Sequence, residues 1–274
     1  MKLLRKKSYR YAISSAEAAP KTAPILLLGS IEQNLVLAKS LGYDAIEVHL
    51  RENSLLDYDG ILKQCGKHKV SIATIVTGRL ATQEGVSLTD SCAEKKSAAL
   101  TGAKKYIDIA CAFGADIVIG WLRGGITSSK EEYNNAFGSA ISELDGYAKE
   151  RGVKIFIEAI NRYEINSMNT AQDICELIER HNLKNTYAHL DTFHMNIEES
   201  DMEEAIKLCG KRLGYLHLAD SNRQYPGAGH INFKKIAAAL DSIDYEGYLS
   251  VECLPLPDYL PAAKKAIENL KKIF

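Results

Sequence analysis

Short, nearly continuous apolar runs alternate along this chain with longer stretches of amphipathic, helical spacing. The runs are YRYAIS (9–14), AIEVHL (45–50), VSIATIV (70–76), DIVIGWL (116–122), VKIFIEAI (153–160), TYAHLD (186–191), LGYLHLA (213–219) and GYLSVEC (247–253). They are rich in β-branched residues and mostly unbroken by polar positions, the pattern of strands buried on both faces. Between them, EKKSAALTGAKKYIDIACAFG (94–114) places Ala98, Leu100, Ala103, Ile107, Ile109, Ala110 and Phe113 near one stripe, with Gly114 as a C-terminal stop. TAQDICELIERHNL (170–183) opens on Thr170, an N-cap candidate, and LPDYLPAAKKAIENLKKIF (256–274) closes the chain as a helix.

Eight strand–helix units in series predict an α/β fold with a parallel sheet. Right-handed crossovers at this length allow eight such strands to close into a single (β/α)8 TIM barrel, spanning 1–274 as one domain. A doubly wound open sheet is the rival. No GxGxxG follows the first run, and polar residues recur at the ends of runs around the whole chain, which favours the barrel. RENSLLDYD (51–59) and GRLATQEGVSLTD (78–90) are polar and Gly-containing loops suited to capping a pocket.

Composition narrows the function classes. Hydrophobic residues make up 46% and charged residues 25%, as a globular core requires. A formal net charge of -1 and a pI of about 6.7 give no bulk attraction to nucleic acid or an anionic membrane. No apolar run approaches the ~20 residues of a membrane span. The six cysteines are scattered without a CxxC pair and read as reduced thiols of a cytoplasmic protein. The basic start MKLLRKKSYRYAISS lacks the apolar stretch of a secretory signal.

The chemistry concentrates at the C-terminal ends of the last four runs, where barrel active sites lie. The fifth ends IEAINRYE and offers Glu158. The sixth ends HLDTFHMN and offers His189, Asp191 and His194. The seventh ends LHLADSNR and offers His217, Asp220, Asn222 and Arg223, and the eighth offers Glu252 in SVEC. Each of these side chains taken alone is as readily a satisfied core histidine or an ion-paired acid. Four in succession at one strand end are harder to dismiss, because three carboxylates and an imidazole converging in a barrel repel unless a cation lies between them. Glu158, Asp191, His217 and Glu252 thus form an O3N set suited to one divalent metal: manganese, cobalt, magnesium or zinc. His49 ends the second run beside Glu47, and a pairing of the two is the simpler reading. His189 reads as core or as support behind Asp191.

These motifs, with LHLADSNRQYPGAGHINF continuing the seventh, resemble the xylose isomerase-like TIM barrels. The similarity is to the sugar isomerase/epimerase group, and within it to the ketose 3-epimerases. The order of the motifs matches over 153–255, and LGYDAIEVHL and AFGADIVIG extend the likeness upstream. The resemblance implies a sugar isomerase or epimerase that acts on a ketose or related α-hydroxy ketone. It implies that Glu158, Asp191, His217 and Glu252 hold the metal, that Glu158 and Glu252 also move the proton, and that His194 and Arg223 bind substrate oxygens. The PGAGHINF stretch corresponds to the family's PGxGxxxF turn, whose glycines let backbone pass close to the site. Asp220 and Asn222 are expected to support that loop. The chain departs from the epimerases in its first half, where AISSAEAAPKTAP, IVTGRLATQ and WLRGG follow the first, third and fourth runs. Trp121, Arg123 and Arg79 are expected to touch substrate there, the two arginines through a carboxylate or phosphate, unless they pair with rim glutamates.

The implied partner is a small-molecule sugar, with no nucleic acid and no membrane, and with homo-oligomer formation left open. A divalent ion beside a ketose carbonyl would stabilise the charge that develops when the adjacent C–H loses its proton. One carboxylate removes that proton and the other returns it. A dehydratase of the inosose or dehydroshikimate type would form the same enolate on the same fold. An endonuclease IV-like enzyme would need further His and Asp ligands that are missing from VTGRL and NRQYPGAGH. A non-catalytic sugar-binding barrel would be expected to lack one of the glutamates.

Overall fold

Nine parallel strands carry the apolar runs in the computed structural model, which describes residues 9–51 and 55–274. They are β1 (Arg10–Ala16), β2 (Leu27–Leu28), β3 (Ala45–His49), β4 (Ser71–Val76), β5 (Asp116–Ile119), β6 (Ile155–Glu158), β7 (Thr186–Asp191), β8 (Leu213–Leu218) and β9 (Tyr248–Val251). The order is β2-β1-β3-β4-β5-β6-β7-β8-β9, and β1 also pairs with β9. That last pairing, Arg10 to Tyr248 through Ile13 to Val251, closes eight strands into a barrel and leaves two-residue β2 as an outlying extension of β1. The expected (β/α)8 architecture is therefore the observed one.

Among the described residues ten helices follow the strands: α1 (Ile31–Leu41), α2 (Tyr58–His68), α3 (Gly78–Glu84), α4 (Ala93–Phe113), α5 (Lys130–Glu150), α6 (Ala171–Arg180), α7 (Thr192–Glu198), α8 (Met202–Cys209), α9 (Phe233–Ser242) and α10 (Tyr259–Ile273). Their ends follow local chemistry. The Thr170 hydroxyl accepts the Asp173 N–H, and the Asp173 carboxylate accepts the Thr170 N–H, a complete capping box. Gly114 ends α4 at φ 64°, as expected of a C-terminal stop.

Two expectations shift. The buried face of α4 is Ala99, Gly102, Ala103, Tyr106, Ile107, Ile109 and Ala110, so Ala98 is exposed and the stripe begins one residue later. The fourth run ends as strand at Ile119, and Trp121–Arg123 form a 3-10 turn. Of the predicted loop 51–59, residues 52–54 lie outside the described residues.

The barrel interior is filled in layers. Its lower layer is apolar, with small Ala12, Ala45 and Ala73 opposite Phe156 and Tyr215, whose rings stack at 5.5 Å. Strand side chains alternate with a period of two, so the next inward position on each strand lies one layer higher. After Ala45 comes Glu47, after Phe156 comes Glu158, and after Tyr215 comes His217. The pattern that plugs the barrel thus raises charged groups directly above the plug. No helix among the described residues is long and apolar enough to cross a membrane.

Candidate active site

The four carboxylate and imidazole groups singled out in the sequence meet at the C-terminal mouth. One ligand atom from each of Glu158, Asp191, His217 and Glu252 lies within 4.8 Å of the others, and all four residues are buried. His217 Nδ1 is 3.6 Å from Glu158 Oε1, 3.9 Å from Asp191 Oδ2 and 3.5 Å from Glu252 Oε2. The fold explains the convergence. Asp191 and His217 are register partners on adjacent strands, as are Glu158 and His189, and Glu252 follows directly on β9.

Behind this group lies Glu47, fully buried on β3. Its carboxylate accepts hydrogen bonds from His217 Nε2 at 2.7 Å, from His49 Nε2 at 3.1 Å and from the Thr74 hydroxyl at 3.3 Å. With Nε2 donating to Glu47, the His217 ring turns Nδ1 toward the three carboxylates. His49 stands 3.5 Å from Glu252 and lines the cavity. Sequence reasoning found the Glu47–His49 pairing but missed the contact to His217, whose partner lies 170 residues away.

Two buried atoms in this cluster, Asp191 Oδ2 and His217 Nδ1, have no hydrogen-bond partner among the described residues. Unpaired buried polar groups are costly. Three oxygens and one imidazole nitrogen, gathered here with two atoms unsatisfied, fit a divalent cation. The charges show the same strain. Burial raises the Asp191 carboxyl to about 7, only partly offset by His217. Burial also raises Glu158, against the pull of His217. At Glu252 and Glu47 burial is outweighed by His217, and both lie below their ordinary value. His217 itself is held protonated well above 6.5, because Glu47 and Glu252 outweigh its burial.

These directions fix a pH dependence for the metal-free protein. Asp191 binds its proton more tightly folded than unfolded, so its contribution to stability falls as pH rises from about 4 to about 7. The contribution of His217 is full below 6.5 and is lost as pH rises through its higher folded value. Glu47 and Glu252 contribute above 4.5 and are already ionised across this window. Buried, neutral His189 and His194 oppose this, gaining stability as pH rises through about 6.5, a gain complete by about pH 7.5. Above that, chelator-treated protein should melt lower at about pH 9 than at about pH 7.5 as the His217 contribution is lost, and an added divalent metal should flatten the difference. A metal-free melting temperature that rises between about pH 7.5 and about pH 9 would contradict this charge assignment.

Gly120 closes the wall beside Glu158. A Cβ at this position would lie 2.7 Å from Glu158 Oε2 and 3.2 Å from the Ile160 side chain. Gly120→Ala should displace the Glu158 carboxylate and lower turnover by about tenfold or more with the fold intact, read by steady-state kinetics beside a thermal melt. Parent-like kinetics would show that Glu158 has room to yield. Nothing in VIGWLRGG signals this steric role before the two strands are brought together.

His194, on the first turn of α7, reaches the same cavity. Its Nδ1 lies 2.7 Å from Asn161 Nδ2, while Asn161 Oδ1 accepts the Tyr163 N–H, which fixes the amide so that it donates to the ring. The proton of the neutral ring is then on Nε2, 3.8 Å from Asp191 Oδ2. Burial, with Arg223 nearby, lowers His194 to about 3, so the ring stays neutral and can donate from Nε2. Arg223 lines the cavity, binds Glu164 at 2.7 Å and lies 4.8 Å from the centre of the Phe193 ring. Its φ of 60° is unusual for a side-chain-bearing residue, and its backbone is held from both sides, by Asp220 O and by the Leu254 N–H.

The turn after β8 is organised by Asp220. Its carboxylate accepts the N–H groups of Ser221, Gly227 and Ile231 at 2.8, 2.7 and 3.1 Å. Burial works to raise this carboxyl, but the backbone donors outweigh it and hold it below its ordinary value. A Cβ on Gly229 would meet Asp220 Oδ1 at 2.4 Å, and Gly227 sits at φ 96°. Asn222 closes the loop with bonds to Ala228 O and the Gln224 N–H. The crowd of polar residues in LADSNRQYPGAGH is thus a scaffold that presents Arg223.

The three residues expected on the far side divide. Trp121 and Arg79 line the cavity, whose volume is about 680 Å³. Arg123 does not reach it. Its fully buried guanidinium donates to Gly120 O at 2.8 Å and Ser167 O at 2.9 Å, because the 3-10 turn points it down among backbone carbonyls. That corrects its expected contact with substrate. His189 is core: buried beneath the cluster, its ring edge-on to His217 at 4.1 Å, and held neutral by burial.

Known proteins share this arrangement of elements. A family model described as xylose isomerase-like TIM barrel matches residues 35–273. An L-ribulose 3-epimerase from Methylomonas sp. (strain DH-1) is 32% identical over 220 residues, covering 78% of this chain and 75% of the relative. A D-psicose 3-epimerase from Agrobacterium fabrum (strain C58 / ATCC 33970) is 29% identical over 225 residues, 77% of this chain and 75% of the relative. Among solved structures, an L-ribulose 3-epimerase superposes with a TM-score of 0.83 at 22% identity, covering 97% of this chain and 94% of that one, a likeness of fold.

Proposed function

Because this chain belongs to the xylose isomerase-like TIM barrel family, we propose that it is a sugar epimerase of the isomerase class, acting on the carbon next to the carbonyl of a ketose. The relatives named for L-ribulose and D-psicose support carbon 3 as the reacting centre. We read the whole chain, 1–274, as one barrel domain working in the cytoplasm, where its six free cysteines stay reduced.

The observation that carries the reading is the pair of buried glutamates, Glu158 and Glu252, at 3.6 and 3.5 Å from His217 Nδ1, with Asp191 completing the set. Glu158, Asp191, His217 and Glu252 would hold a divalent metal. When bound, it supplies positive charge beside the ketose carbonyl and so makes the neighbouring C–H more acidic. Glu47 keeps the His217 ring in its orientation and tautomer. His194 Nε2 and Arg223 supply donors to substrate oxygens as charge develops on them. One glutamate takes the proton from carbon 3, and the other returns one to the opposite face of the planar enediolate. Trp121 offers an aromatic wall for the rest of the sugar.

Incubation of manganese-loaded protein with a panel of ketoses, followed by carbon-13 NMR of the products, tests the proposal. The expected result is interconversion of carbon-3 epimers. Loss of one water to a deoxy-dicarbonyl product would mean that the same enediolate serves a dehydratase instead.

A further inference from the structure

The reacting carbons would sit at the inner end of the cavity, among Glu158, Glu252 and His217, where the acids lie. The outer end has the opposite charge. Arg79, on the first turn of α3, lines it, and Arg51, just beyond β3, lines it too. Arg79 Nη2 donates to the Ala18 carbonyl and so ties α3 to the loop after β1. Its Nη1 is buried and has no hydrogen-bond partner among the described residues. The fold thus leaves part of the guanidinium's hydrogen-bonding capacity unused, and the Arg79 side chain lines the cavity.

The acids of the cavity do not neutralise these two cations. Glu164 is engaged by Arg223 at 2.7 Å, and Glu158 and Glu252 belong to the His217 cluster. Among the described residues the acid at the outer end is Glu17, 3.9 Å from Arg51, with both side chains substantially exposed, where such a pair is screened by solvent. Burial and the nearby charge of Arg51 both depress the Arg79 guanidinium from its ordinary value, with Glu17 and Tyr106 only partly offsetting them. Thr82 and Gln83, on the next turn of α3, add neutral polar groups to the same wall.

A neutral ketose offers hydroxyls here, which do not demand two cations. Two guanidinium groups lining one end of the cavity instead match a carboxylate or phosphate, whose oxygens accept their planar N–H donors. We propose that Arg79, with Arg51 beside it, binds an anionic group at the end of the substrate remote from the reacting carbonyl, so that the preferred substrate is an acidic ketose. The inference rests on the epimerase reading for the position of the reacting carbons. It makes Arg79 a specificity residue, with no part in proton transfer.

The chain has one tryptophan, Trp121, and it lines this cavity. Its fluorescence therefore reports occupancy without requiring turnover. Metal-loaded parent protein titrated with inorganic phosphate, and separately with malonate, should show a saturable change, and Arg79→Met should weaken it by about tenfold or more while Arg79→Lys retains part of it. In kinetics, the ratio of kcat/KM for a ketose with a terminal carboxylate, or a terminal phosphate, to that for the neutral ketose should exceed one in the parent and fall by about tenfold in Arg79→Met. The two acidic substrates decide between carboxylate and phosphate. Anion binding that depends on Arg79, without epimerisation of any ketose, would uphold this site and overturn the epimerase reading. Epimerisation of neutral ketoses with no preference for acidic ones, or anion binding indifferent to Arg79→Met, would overturn the anion site and leave the epimerase reading standing.

Discussion

Glu158→Gln and Glu252→Gln should each lower kcat by about 10²–10⁴-fold, the usual worth of a positioned general base. Gln keeps an oxygen in place of each carboxylate and removes the group that exchanges a proton. Both side chains are buried beside His217, so neither substitution exposes new apolar surface. The two variants should also differ from each other. In Glu158→Gln, the epimer whose proton faces Glu252 still forms the enediolate and exchanges that proton with solvent, while its partner does not. Glu252→Gln should show the reverse. Proton exchange from each purified epimer, followed by NMR in deuterated water, reads this asymmetry directly. One variant inactive toward both epimers and the other near normal would indicate a single base.

Asp191→Asn should abolish activity by a different route. Asp191 Oδ1 accepts the Phe193 N–H and so caps α7. Asn retains that cap and the fold, where Ala would sacrifice about 1 kcal/mol of helix stability. What changes is Oδ2, the buried oxygen without a partner. Replacing it by an amide that donates should weaken manganese binding by more than about a hundredfold, and activity should fall with it. Metal content after dialysis, measured beside a thermal melt, separates this from unfolding. Full metal content in Asp191→Asn would remove Asp191 from the set that holds the ion.

What could be read from the sequence, and what could not, follows the range of the interactions. A parallel barrel writes its active site into local sequence, because each strand needs an apolar run and each site residue ends one. TYAHLD and its successor helix show this best: the strand ends at Asp191, and α7 begins at Thr192, so His194 stands one helical turn past the acid. Asp220 and its turn were legible for the same reason, since nearly all its bonds fall within a dozen residues. Glu47 and Gly120 carry no such local mark. Glu47 acquires its meaning only when β3 and β8 face each other across the closed barrel, and Gly120 only when Glu158 occupies the space that a Cβ would need. Arg123 was misplaced because a cation just past a strand can point up to the ligand or down to backbone carbonyls. The 3-10 turn that decides this depends on packing against Ser167, 44 residues on. The one-residue shift at Ala98 has a similar origin: Ala99, Gly102 and Ala103 are small enough to bring α4 close to its neighbours, and that contact sets which stripe is buried.

The central claim is that two glutamates of this site pass a proton across the two faces of a ketose. Its most direct test is the fate of one hydrogen. Manganese-loaded protein, supplied in deuterated water with the ketose that it turns over, should give an epimer carrying one deuterium at the inverted carbon from the earliest product onward. The proton delivered by the second carboxylate comes from solvent, whereas the one removed stays with the first. An early product that retains the substrate's own hydrogen at that carbon would contradict two-carboxylate proton transfer and require the hydrogen to return from the group that removed it.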